Sequence, residues 1–326
     1  MLIIRRNQTN PYFNIAAEEY VLKAFTDDVF MLWRNDPCIV VGKHQNTLAE
    51  INPGFVKENK IPVIRRISGG GTVFHDLGNI NFTFVKNGED EKLVNFRQFT
   101  QPILDVLRNS GVDAQFERRN DLTVGGKKFS GNAEHIYKKR VLHHGTILFE
   151  SNLNHLSEAL KTDALRFADK AVKSVRSSVT NIGSLLRVPM SAVEFMKNIE
   201  HCMINRFEDV AIYHFTPEDE QNIEQLVIDK YKTWKWNFGY SPDYVFKKQV
   251  RLKCGFFEVN LQVKNGIITE AGFSGDCFNK GEIDELNAIF TGTRHEVDAI
   301  TRVLQLMGGN PSSRNTFPED FVMNFF

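Results

Sequence analysis

Four segments concentrate residue types that do chemistry. The first is Arg65-Arg66-Ile67-Ser68-Gly69-Gly70-Gly71-Thr72-Val73-Phe74-His75-Asp76. Consecutive glycines let a backbone take positive φ and approach a ligand closely. Successive N–H groups in such a turn form a concavity for an anion, and an arginine in front of it offers a planar fork to phosphate or carboxylate. No Gly-Lys-Ser/Thr follows, so this is not a Walker A loop, and no helical pattern follows, so it is not a dinucleotide fingerprint. A glycine-rich hairpin bend explains the same residues equally well.

The second segment comprises Arg119-Asn120-Asp121-Leu122 and Gly125-Gly126-Lys127-Lys128-Phe129-Ser130-Gly131-Asn132-Ala133. If 127–133 is extended, its side chains alternate, so Lys128, Ser130 and Asn132 share one face while Phe129 points to the core. That aims a cation and a hydroxyl into a cleft. Asp121 is a carboxylate of the kind magnesium takes together with phosphates. A solvated hairpin with surface lysines is the plain alternative. The third segment, Leu142-His143-His144-Gly145-Thr146, has adjacent histidines that face opposite ways on a strand and so do not chelate one metal. One can meet substrate while the other packs. The fourth, Lys173-Ser174-Val175-Arg176-Ser177-Ser178-Val179-Thr180-Asn181, is small, polar and basic. It suits either a mobile lid whose arginine closes over a phosphate or an ordinary linker.

The elements that must position these segments follow from periodicity. Residues 2–5 form a strand, and Asn10-Pro11 opens a helix with Phe13, Ala17, Tyr20, Val21 and Ala24 as its buried stripe. Val29–Trp33, Cys38–Val41, 62–66, 72–76 and 80–85 are strands, with a short helix near Pro53–Asn59. A helix spans Phe99–Ser110 and stops at Gly111, and 114–117, 121–124, 127–137 and 140–149 are strand-rich. After residue 150 the pattern turns helical at 154–160, 191–206 and 217–231. The aromatic, turn-rich stretch Trp234–Pro242 marks a domain boundary. Beyond it, 244–254, 256–263 and 267–273 make a three-stranded antiparallel sheet with Asn265-Gly266 as a hairpin turn, closed by two or three helices. The expected architecture is α+β: a large mixed-sheet domain, 1–242, and a small α+β domain, 243–326.

Composition narrows the class. The 326 residues balance 40 basic against 40 acidic side chains, so nothing global draws the chain to nucleic acid or an anionic membrane. The four cysteines, Cys38, Cys202, Cys254 and Cys277, are far apart, which suggests neither a disulfide framework nor a zinc site. The N-terminal apolar run is too short for a signal peptide, and no run of 18 apolar residues exists, so the expected location is cytoplasmic.

Taken together, the segments resemble the lipoate–protein ligase family. Arg-Arg-Ile-Ser-Gly-Gly-Gly with its His-Asp and Gly-Asn continuation, RNDL, KKFSGNA, HHGT and SVRSSVTN follow in the family's order, with FNIAAEE and WKWNFG outside them. The resemblance covers most of residues 10–242 and extends more weakly through the C-terminal domain, which is similar to the accessory domain of two-domain members. It implies a catalytic domain related to that of biotin ligases and two-step chemistry. Lipoate and ATP form lipoyl-AMP with release of pyrophosphate, and a carrier lysine then takes the lipoyl group.

It also implies roles. Lys128 contacts the α-phosphate and the reacting carboxyl oxygen, and Arg66 binds phosphate or carboxylate. Gly71, Thr72, Val73 and Phe74 line ATP, and Arg176 closes over phosphate. Asn120 and Asp121 hold magnesium. Ser68, Gly70, His75, Ser130, Gly131, Ala133 and His144 line the lipoate channel, with His144 favoured over His143, and Trp33 walls the apolar end. The implied partners are lipoyl domains of 2-oxoacid dehydrogenase E2 subunits and the glycine cleavage H protein. One departure stands out: Ser178 occupies a position where family members often carry arginine. Two rival readings stay open. One is an octanoyl or lipoyl amidotransferase on the same fold, which needs a reactive cysteine. The other is a non-catalytic protein that binds lipoyl domains.

Overall fold

The computed structural model describes residues 1–88, 94–117, 120–252, 255–308 and 319–326. Arg119 and Cys254 lie outside the described residues. The chain divides into two compact units, one of 1–43, 61–157 and 174–233, the other of 44–60, 158–173 and 234–326. The second unit thus takes in two stretches far upstream of the boundary read from the sequence.

The strands are β1 (Leu2–Ile4), β2 (Val29–Trp33), β3 (Cys38–Val41), β4 (Val63–Arg65), β5 (Val73–His75), β6 (Asn79–Asn87), β7 (Gln115–Glu117), β8 (Asp121–Val124), β9 (Lys127–Tyr137), β10 (Arg140–Leu148), β11 (Phe167–Asp169), β12 (Ala211–Tyr213), β13 (Tyr244–Leu252), β14 (Gly255–Lys264) and β15 (Ile267–Gly275). In the first unit an eight-stranded mixed sheet runs β12-β1-β2-β6-β10-β9-β8-β7, and a three-stranded sheet runs β4-β3-β5.

Alternation gives the large sheet two unlike faces. Ile3, Phe30, Leu32, Ile80, Phe82, Phe84, Val141 and Ile147 pack with Phe99, Ile103 and Leu107 of the helix Phe96–Asn109 and Phe195, Ile199 and Met203 of the helix Ala192–Arg206. This is the core. The opposite face carries Asn81, Thr83, His144 and Thr146, and Glu18 of the helix Pro11–Ala24 reaches it. That helix starts as expected, with Asn10 accepting from the Tyr12 N–H at 3.0 Å and Pro11 in its first turn. The expected single stripe is too narrow. Asn14, Glu18 and Glu19 are as buried as Phe13 and Val21, while Tyr20 is half-buried and Ala24 exposed.

In the second unit the hairpin turn lies at Asn265-Gly266, both at positive φ (50° and 73°). The sheet is four-stranded rather than three-stranded, because β11 pairs antiparallel with β13. Neither β11 nor β12 was expected from the sequence. Phe257, Phe273, Phe290 and Phe325 form this unit's aromatic core. Cys277 is disulfide-bonded, while Cys38 and Cys202 are free thiols. Among the described residues, no helix is long and apolar enough to cross a membrane.

Candidate active site

The glycine turn sits between β4 and β5 of the small sheet and is organised by two buried arginines. Arg65 Nη1 donates to the carbonyls of Gly42 and Lys43, each at 3.0 Å. Arg66 Nη1 donates to Val40 O at 3.1 Å, Nη2 to Gly69 O at 2.6 Å and Gly71 O at 2.8 Å, and Nε to Ser68 Oγ at 3.0 Å. Arg66, expected to meet phosphate or carboxylate, therefore also holds the turn's carbonyls inward. Burial brings its guanidinium down to about 10 against the pull of Glu18, so it stays charged at neutral pH. Gly70 lies at φ +86°, where glycine is favoured, and a Cβ on Gly71 would stand 3.0 Å from Ser174 Oγ. The Thr72 N–H donates to that same Ser174 hydroxyl at 2.9 Å. On β5, Val73 is half-buried and Phe74 buried.

A bulge on β9 decides where Lys128 points. Thr123 pairs with Lys128 but Leu122 pairs with Ser130, so Phe129 is the extra residue. The expected shared face of Lys128, Ser130 and Asn132 is thus broken. Ser130 and Asn132 stay together on the Leu122 side, joined by Asn132 Nδ2 to Ser130 Oγ at 3.2 Å, and Lys128 turns to the other side. Phe129 is buried in the core. The Lys128 ammonium lies over Gly131, 3.2 Å from where a Cβ would stand, and 2.7 Å from Asp121 Oδ1. Ala133 pairs with His144 across β9 and β10.

The segment after Ser174 is pinned to this strand. Lys128 N–H donates to Ser178 O at 2.9 Å, and Thr180 N–H donates to Lys128 O at 3.0 Å. Ser178, the departure from the family pattern, makes this contact through its backbone. Arg176 is exposed between the anchors at Ser174 and Ser178.

The donor set fits magnesium only as a partner of phosphates. Among the described residues, no group of three or more His, Cys, Asp or Glu side chains could hold a metal. Asp121 supplies one carboxylate, and Asn120 Nδ2 donates to Asn132 O at 2.7 Å, leaving its carboxamide oxygen as acceptor. One or two carboxylates plus substrate phosphates is the usual magnesium arrangement in nucleotide sites.

On the same face a buried polar chain crosses the sheet. Trp33 Nε1 donates to Thr83 Oγ1 at 2.9 Å, and Thr83 Oγ1 donates to Glu18 Oε1 at 2.6 Å. Glu18 Oε2 takes His144 Nδ1 at 2.9 Å, and His144 Nε2 meets Ser68 Oγ at 2.6 Å. His143 faces the other way, against Phe82 and Phe99, with Nδ1 on Glu134 Oε1 at 2.9 Å. Burial, then the charge of His144, hold it well below the usual histidine range. His75 packs edge-on to Trp33 at 6.0 Å, and burial, helped by Arg66 and His144, brings it down to about 3.

The structure thus gathers Ser68, His144 and Trp33 with Arg66, and Lys128 with Asp121 and Gly131. Ser130 is turned away from Lys128. Glu18 and Thr83 are the residues that sequence reasoning missed, and Ser174, named within the fourth segment, gains its contact with Thr72 only in the structure. For Glu18 a signal existed: two adjacent glutamates among alanines at a helix centre, one helical turn from Asn14.

A family model described as the lipoyl protein ligase A/B catalytic domain matches residues 10–204, and one described as the bacterial lipoate protein ligase C-terminus matches 241–323. Lipoate–protein ligase 1 of Staphylococcus aureus is 40% identical over 304 residues, covering 93% of this chain and 92% of that protein. Lipoate-protein ligase LplJ of Bacillus subtilis is 36% identical over 326 residues, covering 99% and 98%. Three solved structures share the fold of the larger part. A bipartite lipoate protein ligase of Thermoplasma acidophilum, reported with its E2 lipoyl domain, has a TM-score of 0.64 at 27% identity, covering 73% of this chain and 96% of that chain. A lipoate-protein ligase A bound with ATP has 0.63 at 26%, and a T. acidophilum protein with bound lipoic acid 0.62 at 26%, each covering 73% of this chain and 98% of its own.

Proposed function

The chain belongs to the lipoyl protein ligase A/B family, and on that premise we propose that it joins free lipoate to carrier proteins in two ATP-dependent steps. Family membership makes it an amide-forming ligase. In the first step a lipoate carboxylate oxygen attacks the α-phosphorus of ATP and pyrophosphate leaves, giving lipoyl-AMP. In the second a carrier lysine amine attacks the carbonyl carbon and AMP leaves, forming the amide.

The observation that carries this reading is the placement of Lys128. A bulge, two backbone hydrogen bonds to Ser178 and Thr180, and an ion pair with Asp121 fix a half-buried ammonium on the sheet face that also carries His144. Such a cation stabilises charge developing between the α-phosphate and the acyl oxygen. Gly71, Thr72, Val73 and Phe74 form the nucleotide side and Gly70, beside Ala133, belongs to the lipoate side, with Arg66 holding the turn and Arg176 serving the phosphates. Bound magnesium would neutralise phosphate charge beside Asp121 and Asn120. Ser68, His75, Gly131, Ala133, His144 and Trp33 line the lipoate side, and Ser130 contributes through its backbone at the bulge. Residues 1–242 carry this chemistry and 243–326 form the accessory part.

The carriers are lipoyl domains of 2-oxoacid dehydrogenase E2 subunits, as the paired T. acidophilum proteins suggest, and the glycine cleavage H protein as a second acceptor. The working compartment is the cytoplasm. An amidotransferase is disfavoured by the described cysteines. Cys38 is buried and burial pushes its thiol up, Cys202 packs against the core, and Cys277 is oxidised. Intact-mass spectrometry of an apo lipoyl domain with this protein, lipoate and Mg-ATP tests the proposal. A gain of one lipoyl group that requires ATP supports it. No gain and no lipoyl-AMP would sink it, and lipoyl-AMP without transfer would mean that a separate partner completes the reaction.

A further inference from the structure

Arg6 poses a problem that the reaction above leaves unexplained. Nε, Nη1 and Nη2 of its guanidinium are all buried and have no hydrogen-bond partner among the described residues. Unmade hydrogen bonds from a buried cation are costly, so they mark a place where something else is accommodated. Ile4 pairs with Met31, and Arg6, two residues on, emerges on the same face as Trp33. Its guanidinium carbon stands 5.4 Å from the centre of the Trp33 ring. The carboxylate charge that acts on it is Glu18, which is bonded to Thr83 and His144 and makes no ion-pair contact with it.

A second orphan lies beside the same ring. Asn35 Oδ1 accepts from Asn14 Nδ2 at 2.9 Å, which turns Asn35 Nδ2 toward His75 Nδ1 at 3.2 Å. His75 Nδ1 is therefore the acceptor, and the ring proton sits on Nε2. That Nε2 is also buried with no partner among the described residues. Two unmet donors, from Arg6 and His75, thus flank Trp33.

Trp33 pairs with Asn81, Asn81 with Thr146, and the Gly131 N–H donates to Thr146 Oγ1, so these four residues cross the sheet in one row. From Gly131, under the Lys128 ammonium, to Trp33 is three strand spacings, about 14 Å. An acyl chain whose carboxyl lies at Lys128 runs along this row toward Trp33. Resting on the ligase reading, we propose that Arg6 and His75 act as a donor clamp around Trp33 that receives the sulfur end of lipoate. Arg6 is then a specificity residue favouring a tail that ends in a cyclic disulfide over a plain alkyl tail. Disulfide sulfur is polarisable and a weak acceptor, whereas the methyl end of octanoate offers nothing to either donor.

The test compares lipoate and octanoate as substrates of the full chain with Mg-ATP and an apo lipoyl domain. Arg6→Met should lower kcat/KM for lipoate about tenfold, leave octanoate within about twofold, and leave the KM for ATP unchanged. Arg6→Lys should recover part of the preference. An unchanged lipoate-to-octanoate ratio in Arg6→Met overturns the assignment. If that variant does not fold, the wild-type protein decides: a larger rise in Tm with lipoate than with octanoate supports the clamp, and equal rises overturn it. Failure of the ligase reading appears separately, as wild-type protein that transfers neither acid in the presence of ATP, and the Tm comparison still decides the clamp.

Discussion

Lys128 Nζ lies 2.7 Å from Asp121 Oδ1, so the cation proposed to stabilise the transferring phosphate is paired with the carboxylate proposed to meet magnesium. The two are held in one spot by different means, Lys128 by a bulge and Asp121 by its place at the start of β8. Phosphates and magnesium arriving together offer each group a new partner of opposite charge, so the exchange keeps charge balanced.

Lys128→Ala should therefore cut pyrophosphate–ATP exchange by about 10²–10³-fold, the range found when one preorganised donor is removed. Because the pair is partly exposed, stability should fall by no more than about 1 kcal/mol. Normal exchange in a folded Lys128→Ala protein would remove Lys128 from the mechanism.

The glycines of the turn should not behave alike. Gly71→Ala puts a methyl group 3.0 Å from Ser174 Oγ, on the contact that anchors the following segment. It should raise the KM for ATP and speed proteolysis within 174–181. A Cβ added at Gly69 would meet nothing within 4 Å, and the residue has no positive φ, so Gly69→Ala should be close to wild type. Equal defects in the two variants would contradict this account.

Glu18→Gln removes the buried charge that acts on Arg6 and Arg66 and accepts from His144 and Thr83. Losing one side of a buried charge cluster costs about 3–5 kcal/mol. Chemical denaturation should show that loss, and lipoate activation should fall with it. A Glu18→Gln protein of unaltered midpoint would mean that the carboxylate is not the keystone of the chain from Trp33 to Ser68.

Two buried histidines predict acid sensitivity. His75 is brought from 6.5 to about 3 and His295 to about 4, both mainly by burial. Each stays unprotonated in the folded state while the unfolded chain takes up protons below about pH 6.5. The unfolded state then binds more protons, so stability is full above that pH and is lost as pH falls toward the folded values, by about 1.4 kcal/mol per unit for each group. Unfolding free energy measured from pH 7 to 4 should fall along this slope, and His75→Gln should flatten it. A slope unchanged in His75→Gln would rule out His75 as a source.

By itself the sequence determined most of the elements and the family resemblance. Hydrophobic alternation marked the long strands, Asn10-Pro11 and Asn265-Gly266 marked a helix start and a hairpin turn, and the Arg-Arg-Ile-Ser-Gly-Gly-Gly, Lys-Lys-Phe-Ser and His-His-Gly-Thr segments, in that order, resemble those of the lipoate–protein ligase family, which implied an acyl-activating ligase. These signals are local, carried by residues within a turn or two of one another. What only the tertiary structure decided depends on distant partners. The Phe129 bulge parts Lys128 from Ser130 because β8 supplies one residue where β9 supplies two. Arg66 closes its own turn because β3 presents the Val40 carbonyl. Glu18 becomes a buried partner of His144 although 126 residues separate them. Strands β11 and β12 were not expected from the sequence and form against the edges that β13 and β1 present.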